Sequence, residues 1–218
     1  HIITTAIEHP CVLNTAQFHN HKGVPVDFLS VDQTGKIDLA ELDQKITDDT
    51  ALISIMMANN EIGTIQDIKK IVEIAHQKGV LVHTDAVQAF GKIPIDVIDL
   101  DIDFLSFSGH KIYGPKGIGG LYIKKGTLFC PLIHGGHQEH GRRAGTENTI
   151  GIIGMGKAVE IAKSDYLQES ERQKKLREKL KQGLIDKVPD IVVNGHETDC
   201  LPNTLNVSFH GAEGESIL

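Results

Sequence analysis

Residues 51–85 read ALISIMMANNEIGTIQDIKKIVEIAHQKGVLVHTD, and their hydrophobic pattern indicates the fold class. Two short apolar runs, at 51–58 and 80–85, are typical of strands that are buried on both faces. Between the runs, apolar side chains recur at helical spacing, at Ile68, Ile71, Val72 and Ala75. Gly79 stands where that helix would end. A β–α–β unit of this kind predicts parallel strands and therefore an α/β fold.

Further elements are expected before and after this unit. Their β-branched and apolar residues place additional strands at 2–6, 24–29, 104–108 and 117–123. Pro10 suits the first turn of a helix that runs to about Lys22. Asp38 and Glu41 form a capping-box pattern that opens a short helix.

The pattern changes near Ile150, where a long helix is expected to begin. Residues 168–181 (QESERQKKLREKLK) continue this helix with mixed charges, which indicates a solvated helix face. Two strands, at 190–193 and 204–209, are predicted to belong to a second, smaller unit.

Composition excludes several classes of protein. The 218 residues are 40% hydrophobic and 23% charged, as in a folded globular protein, and the net charge of −7 argues against a general nucleic-acid binder. No apolar run approaches the roughly 18 residues of a membrane span, and the start lacks the pattern of a signal peptide. The three cysteines, without CxxC spacing, favour a reducing compartment, so we expect a cytoplasmic protein.

Three predicted strands are followed by clusters of polar residues. The clusters are Asn59-Asn60-Glu61, Asp85-Ala86-Val87-Gln88 and Ser108-Gly109-His110-Lys111. Ligands of open α/β sheets gather beyond the carboxyl ends of the strands, so the three clusters are expected to converge on one site. His9 also follows a strand.

This combination of residues suits pyridoxal phosphate. A lysine such as Lys111 forms a Schiff base with a carbonyl cofactor, and a carboxylate such as Asp85 keeps the pyridine nitrogen protonated. Ser108 and His110 flank the lysine and suit a phosphate, whereas Asn60 and Gln88 suit the ring hydroxyl. The alternative from the residues alone is that Asp85 caps a helix and Lys111 lies on the surface.

Two other segments resemble ligand-binding motifs less well. GPKGIGG at 114–120 lacks the GK[ST] ending of a phosphate loop and precedes a strand, so a turn is predicted. HGGHQEHGRR at 134–143 contains three histidines, but its glycines indicate a loop, and no metal site is expected. Arg142 and Arg143 favour an anion-binding loop instead.

Together these segments resemble a known enzyme family. EHP (8–10), ANNEIGTIQ (58–66), HTDAVQAFGKIPID (83–96), SFSGHKIYGPKGIGGLYI (106–123), GRRAGTEN (141–148) and LPNTLNVSFHGAEGES (201–216) are similar to the cysteine desulfurases of nitrogen fixation and iron–sulfur cluster assembly. These desulfurases are class V aminotransferases of pyridoxal-phosphate fold type I. The resemblance covers essentially the whole chain, in order.

The resemblance implies an activity and partners. Sulfur would be removed from L-cysteine to give L-alanine and an enzyme-bound persulfide, which an iron–sulfur scaffold or other sulfur-acceptor protein receives. A homodimer is implied as well. The alternatives are a selenocysteine lyase or related class V transaminase, or an inactive fragment that lacks the nucleophilic cysteine.

The resemblance also assigns residue roles. Lys111 would be the Schiff-base lysine, and His9 would stack on the pyridine ring and serve in proton transfer. Thr146 would reach the phosphate bound by the partner subunit. The remaining cofactor-binding residues would be Asn60, Asp85, Gln88, Ser108 and His110.

The implied fold is that of the aspartate aminotransferases. Residues 1–165 would form the large α/β/α domain around a mostly parallel, mixed sheet, and 166–218 would begin a small α+β domain. The family's phosphate-contacting Gly-Ala-Thr segment would precede residue 1, and its nucleophilic cysteine and substrate-binding arginine would follow Leu218. None of Cys11, Cys130 and Cys200 matches the nucleophile. His137 and His140 replace a glycine and an arginine of the family.

Overall fold

A computed structural model describes residues 1–217 and shows a six-stranded mixed sheet with the strand order β2-β1-β3-β4-β5-β6. Neighbouring strands are parallel except β5 and β6, which are antiparallel. The strands are β1 (Ile2–Thr5), β2 (Val26–Leu29), β3 (Leu52–Ser54), β4 (Leu81–Asp85), β5 (Phe104–Ser108) and β6 (Gly119–Ile123). The expected α/β fold class is confirmed.

Four α-helices surround or extend from this sheet. They are α1 (Pro10–His21), α2 (Leu39–Lys45), α3 (Ile68–Gln77) and α4 (Thr149–Lys187). The side chain of the residue that precedes each helix accepts a hydrogen bond from a backbone N–H of the first turn. In chain order these capping residues are His9, Asp38, Asp67 and Asn148. These caps satisfy N–H groups that have no partner inside the helix.

Helix α3 shows how the hydrophobic pattern produces the packing. Its four periodic residues, Ile68, Ile71, Val72 and Ala75, are all at most 3% exposed and belong to the main core with Ile53 and Val82 of the sheet. Burying each large aliphatic side chain contributes about 2 kcal/mol. Helix α3 ends at Gln77, and Gly79 takes a positive φ of 72°, as expected for a residue just past a helix.

The strand predicted at 51–58 was too long. Strand β3 has three residues, because its ladder with β1 stops at the pair Thr4–Ser54, and beyond it the Met56 N–H donates to the Glu8 side chain instead of to a β1 carbonyl. There, Ile55 N–H donates to His83 O (3.1 Å) and Met57 N–H donates to Asp85 O (2.9 Å). Residues 55–57 therefore stay buried beside β4 as a one-sided extension.

The C-terminal part of the chain forms a second, smaller sheet. Strands β7 (Ile191–Asn194) and β8 (Asn206–Phe209) pair antiparallel, close to the predicted ranges. Helix α4 runs unbroken for 39 residues and passes through positions 165 and 166, where the domain boundary was predicted. Within residues 1–217, no helix combines the length and the apolar character that crossing a bilayer requires.

Candidate functional site

The sheet brings the predicted site residues to one edge. Strands β1, β3, β4 and β5 are parallel neighbours, so their carboxyl ends lie at the same edge of the sheet. Asp85 ends β4 and pairs in register with Ser106 of β5, two residues before Ser108. His9 follows β1 and Asn60 follows β3, so the three predicted polar clusters and His9 share this edge.

Asp85 supplies a buried negative charge to the site. Its side chain is 7% exposed, and its Oδ1 accepts a 2.9 Å hydrogen bond from the backbone N–H of Val87. In the described part of the chain, its Oδ2 accepts no hydrogen bond. Asp85 therefore stabilises the turn that follows β4, and it also keeps one oxygen available to a cationic partner.

The turn after β5 positions the lysine. Residues Gly109–Ile112 form a 3-10 helix that ends at Tyr113, whose φ is +63°. Gly114 N–H donates to Gly109 O (2.8 Å), and a Cβ at Gly114 would lie 2.9 Å from that oxygen. This close approach requires glycine and fixes the turn that carries Lys111. Ser108 Oγ and His110 Nδ1 are 2.7 Å apart at its start.

Lys111 lies beside the residues that follow β4. The positive charge of Lys111, together with a larger effect of burial, lowers the pKa of Lys92 from its ordinary value. Lys92 Nζ in turn lies 3.3 Å from Gln88 Oε1. Lys111 is half-buried and, within residues 1–217, has no carboxylate at ion-pair distance. The turn that carries Lys111 packs against the segment after β4, since a Cβ at Gly91 would lie 2.7 Å from Ile112 Cγ2.

His9 and Asn60 are held by the loops after β1 and β3. His9 caps helix α1, since its Nδ1 accepts from the backbone N–H of Cys11 at 3.2 Å. The buried Asn59 joins the two loops: its Nδ2 donates to Ile7 O at 2.9 Å and its Oδ1 accepts from Glu61 N–H at 2.9 Å. Asn60 is the half-buried neighbour of this anchor.

Thr146 does not join this cluster in the described part of the chain, residues 1–217. It is exposed in the segment before α4, and no hydrogen bond joins its side chain to the other predicted residues. Its role stays a prediction. In the same region, His134, His137 and His140 are exposed, and no group of three or more potential metal ligands is found within residues 1–217. The Arg143 guanidinium donates to Ala144 O (2.7 Å) rather than pointing at a neighbouring anion.

Sequence reasoning missed two polar groups at the site, the buried Glu8 and the partly buried His83. Glu8 is 5% exposed, and its Oε1 accepts hydrogen bonds from Thr5 Oγ1 (2.9 Å) and Met56 N–H (2.8 Å). Burial raises its pKa to about 7, although these two hydrogen bonds oppose the shift, and Asp85 adds a smaller increase. His83 lies on the Asp85 face of β4, and burial lowers its pKa. The sequence did contain a signal for His83: side chains two residues apart on a strand share a face, which places His83 on the same face as Asp85.

The residues present fit pyridoxal phosphate. Its pyridinium nitrogen needs a carboxylate with a free oxygen, and Asp85 has one. Its aldehyde needs an amine that is not held in an ion pair, which describes Lys111. Its phosphate needs donors, and the Ser108 hydroxyl and the His110 ring stand next to the lysine on one short turn.

Comparisons with known proteins agree with this chemistry. The family model described as aminotransferase class-V matches residues 1–218. The chain is 50% identical over 220 residues to "Cysteine desulfurase IscS" of Clostridium botulinum, covering 100% of this chain and 55% of that protein. It is similar to the solved structure of a "NifS-like protein", with a TM-score of 0.95, 45% identity, and coverage of 99% of this chain and 59% of that one.

A further similar structure was solved with bound cysteine. The structure titled "SspA in complex with cysteine" is 41% identical, with a TM-score of 0.84, and the match covers 96% of this chain and 58% of that one. The chain thus spans about half the length of the curated relatives it matches. Since the family model extends over every residue of the sequence, the chain belongs to the aminotransferase class-V family.

Proposed function

We propose that the protein containing this chain is a pyridoxal-phosphate-dependent cysteine desulfurase. The observation that carries the proposal is the common edge of the sheet, where the Asp85 carboxylate ends β4 and the unpaired Lys111 amine follows β5. The 50% identity to a cysteine desulfurase and the similarity to a protein solved with cysteine support the choice of L-cysteine as substrate.

Different residues at this edge of the sheet would bind different parts of the cofactor. Lys111 would hold it covalently through its amine, and Asp85 would hold the ring nitrogen through its free Oδ2. Ser108 and His110 would donate to the phosphate, whereas Asn60 and Gln88 would approach the ring oxygen. Bound pyridoxal phosphate supplies an electron sink for the bonds at the substrate carbons.

During the reaction Lys111 would transfer protons, and His9 would restrain the cofactor ring. With the substrate bound, the Lys111 amine would carry protons to and from the substrate carbons. The His9 imidazole would lie over the ring and restrict its tilt. In the overall reaction a thiolate of the enzyme would attack the Sγ atom of cysteine and form the S–S bond, while the C–S bond would break with its electron pair staying on the carbon skeleton. The carbon skeleton leaves as alanine after it gains a proton at Cβ.

The thiolate that accepts sulfur would come from outside residues 1–218. Cys130 is exposed on the loop after β6, whose last residue Ile123 pairs with Phe104 at the amino end of β5, opposite the edge of the site. Cys200 is half-buried between Ile62 O and Thr204 O. Burial also raises the pKa of the Cys200 thiol and that of the Cys11 thiol beside His9, which disfavours the nucleophilic thiolate form at both residues. We therefore assign the acceptor cysteine to the rest of the protein.

The remaining parts of the proposal concern organisation. Residues 1–165 would form the large domain and 166–218 the start of the small domain, supported by the separate sheet of β7 and β8. A homodimer, in which Thr146 reaches the partner's phosphate, is supported by large exposed apolar side chains near that segment, at Leu132, Ile150 and Ile153. The protein would work in the cytoplasm and pass sulfur to an iron–sulfur scaffold or another acceptor protein.

The test is covalent trapping of the cofactor. After borohydride reduction, intact mass and peptide mapping should locate a pyridoxyl adduct on Lys111, and Lys111→Ala should lose both the adduct and alanine formation from cysteine. Lys116→Ala, which removes an exposed lysine of the next turn, should keep both. An adduct on another lysine, or full alanine formation by Lys111→Ala, would exclude the proposed mechanism.

A further inference from the structure

We propose that Cys11 is a positioning residue for His9: its thiol and its backbone N–H both donate to His9 Nδ1 and hold the imidazole in the Nε2–H tautomer. The use of that tautomer in catalysis rests on the proposed function, whereas the tautomer itself does not. The inference concerns a thiol to which neither the sequence nor the resemblance assigned a role.

The backbone contact determines which ring nitrogen is the acceptor. Pro10 has no N–H group, so Cys11 provides the first backbone donor of helix α1. This N–H lies 3.2 Å from His9 Nδ1. Because a backbone amide can only donate, Nδ1 must carry a lone pair, and the ring proton of neutral His9 must be on Nε2.

The thiol contact adds to the same preference. Cys11 Sγ lies 3.0 Å from His9 Nδ1. Partial burial raises the pKa of the Cys11 thiol, and the negative charges of Asp85 and Glu8 raise it further, so the sulfur keeps its proton at neutral pH. A protonated thiol beside an unprotonated ring nitrogen is the donor of the pair. If a proton moved to Nδ1, the backbone contact would be lost and the thiol would have to accept a hydrogen bond instead of donating one.

The tautomer determines which nitrogen of the His9 ring is available to the site. Nδ1 is occupied on the helix side of the ring, so Nε2–H is the group left for the site. His9 would act there as a hydrogen-bond donor of fixed orientation, and Nδ1 would take no part in proton transfer. A side chain without a donor at position 11 would leave only the backbone contact.

The test is the 15N spectrum of the imidazole rings in the histidine-labelled protein, without substrate. His9 is assigned by comparison with His9→Asn, which keeps a capping side chain. We expect the Nε2–H pattern for His9 in the wild type and in Cys11→Ser, which keeps a hydroxyl donor. In Cys11→Ala the ratio of Nε2–H to Nδ1–H tautomer should fall about fivefold, as for the loss of one hydrogen bond. Cys130→Ala, at an exposed cysteine, is the control.

Two outcomes would overturn the inference. The first is a wild-type His9 that carries its proton on Nδ1, and this result needs no variant to fold. The second is an unchanged tautomer ratio in Cys11→Ala. Failure of the proposed function is recognised separately, because a protein with no alanine formation and no Lys111 adduct would still report the His9 tautomer.

Discussion

His83 Nδ1 on β4 lies 2.8 Å from Ser54 Oγ on β3, directly beside it in the parallel register. The other ring nitrogen, Nε2, lies 3.1 Å from Ser106 Oγ on β5. One imidazole thus joins the three central strands of the sheet. Because Asp85 follows two residues later on the same face of β4, this row of side chains lies directly behind the carboxylate of the candidate site.

The first prediction concerns this row. His83→Ala should destabilise the fold by about 2 kcal/mol, because two serine hydroxyls lose their partner in a largely buried place. Chemical denaturation of both proteins measures the difference. His19→Ala, at an exposed histidine of α1, should change the free energy of unfolding by less than about 0.5 kcal/mol. Equal stability of the two variants would show that the row contributes nothing.

The second prediction follows from the buried carboxyl of Glu8. Burial raises its pKa from an ordinary value of 4.5 to about 7, so the folded state binds a proton that the unfolded state has released across that interval. The free energy of unfolding should therefore fall by about 3 kcal/mol as pH rises from 4.5 to above 7.

Glu8→Gln isolates that contribution. It cannot ionise, so its unfolding free energy should lack this decline, and it should exceed the wild type in stability at pH 8. Denaturation curves at several pH values between 5 and 8 provide the measurement. Glu147→Gln, at an exposed glutamate, should retain the wild-type slope. A slope in Glu8→Gln equal to that of the wild type would contradict the assignment to Glu8.

The third prediction concerns the Asp85 carboxylate. Asp85→Asn keeps the shape of the side chain but removes the charge that would pair with the pyridinium, so pyridoxal phosphate should bind about 100-fold more weakly. Fluorescence titration of the cofactor-free protein measures the affinity. Asp99→Asn, at an exposed aspartate paired with Lys69, should bind the cofactor like the wild type. Equal affinities would remove Asp85 from the cofactor site.

The fourth prediction compares two arginines of α4. The Arg177 side chain is 8% exposed, donates from Nη1 to Leu201 O (2.6 Å) and pairs with Glu178 (2.6 Å). Arg177→Ala should cost about 2 kcal/mol of stability, since it leaves the carbonyl of the buried Leu201 without its donor, whereas Glu178 keeps Lys181 at 4.0 Å. Arg172→Ala, at a side chain 59% exposed, should cost less than about 1 kcal/mol. Thermal and chemical unfolding distinguish the two, and similar losses would contradict the role of the Leu201 contact.

Local pattern was enough to predict most of the elements. Three local patterns predicted elements directly: the apolar periodicity of α3, the proline at the start of α1 and the β-branched residues of the strands. Each pattern depends only on residues that are close together in the chain. The polar clusters that follow β3, β4 and β5 could also be predicted to converge, because parallel strands end at one edge of a sheet.

The sequence by itself therefore determined the fold class and the residues available for chemistry, because both follow from the order and spacing of residues along the chain. Only the tertiary structure decided that β1 lies between β2 and β3, which brings the loop of Glu8 and His9 beside that of Asn59. It also decided that β3 stops at Ser54, that Glu8 is buried and that Cys11 reaches the ring of His9. Strand neighbours, burial and hydrogen-bond partners depend on groups far apart in the chain, and spacing along one segment does not carry that information.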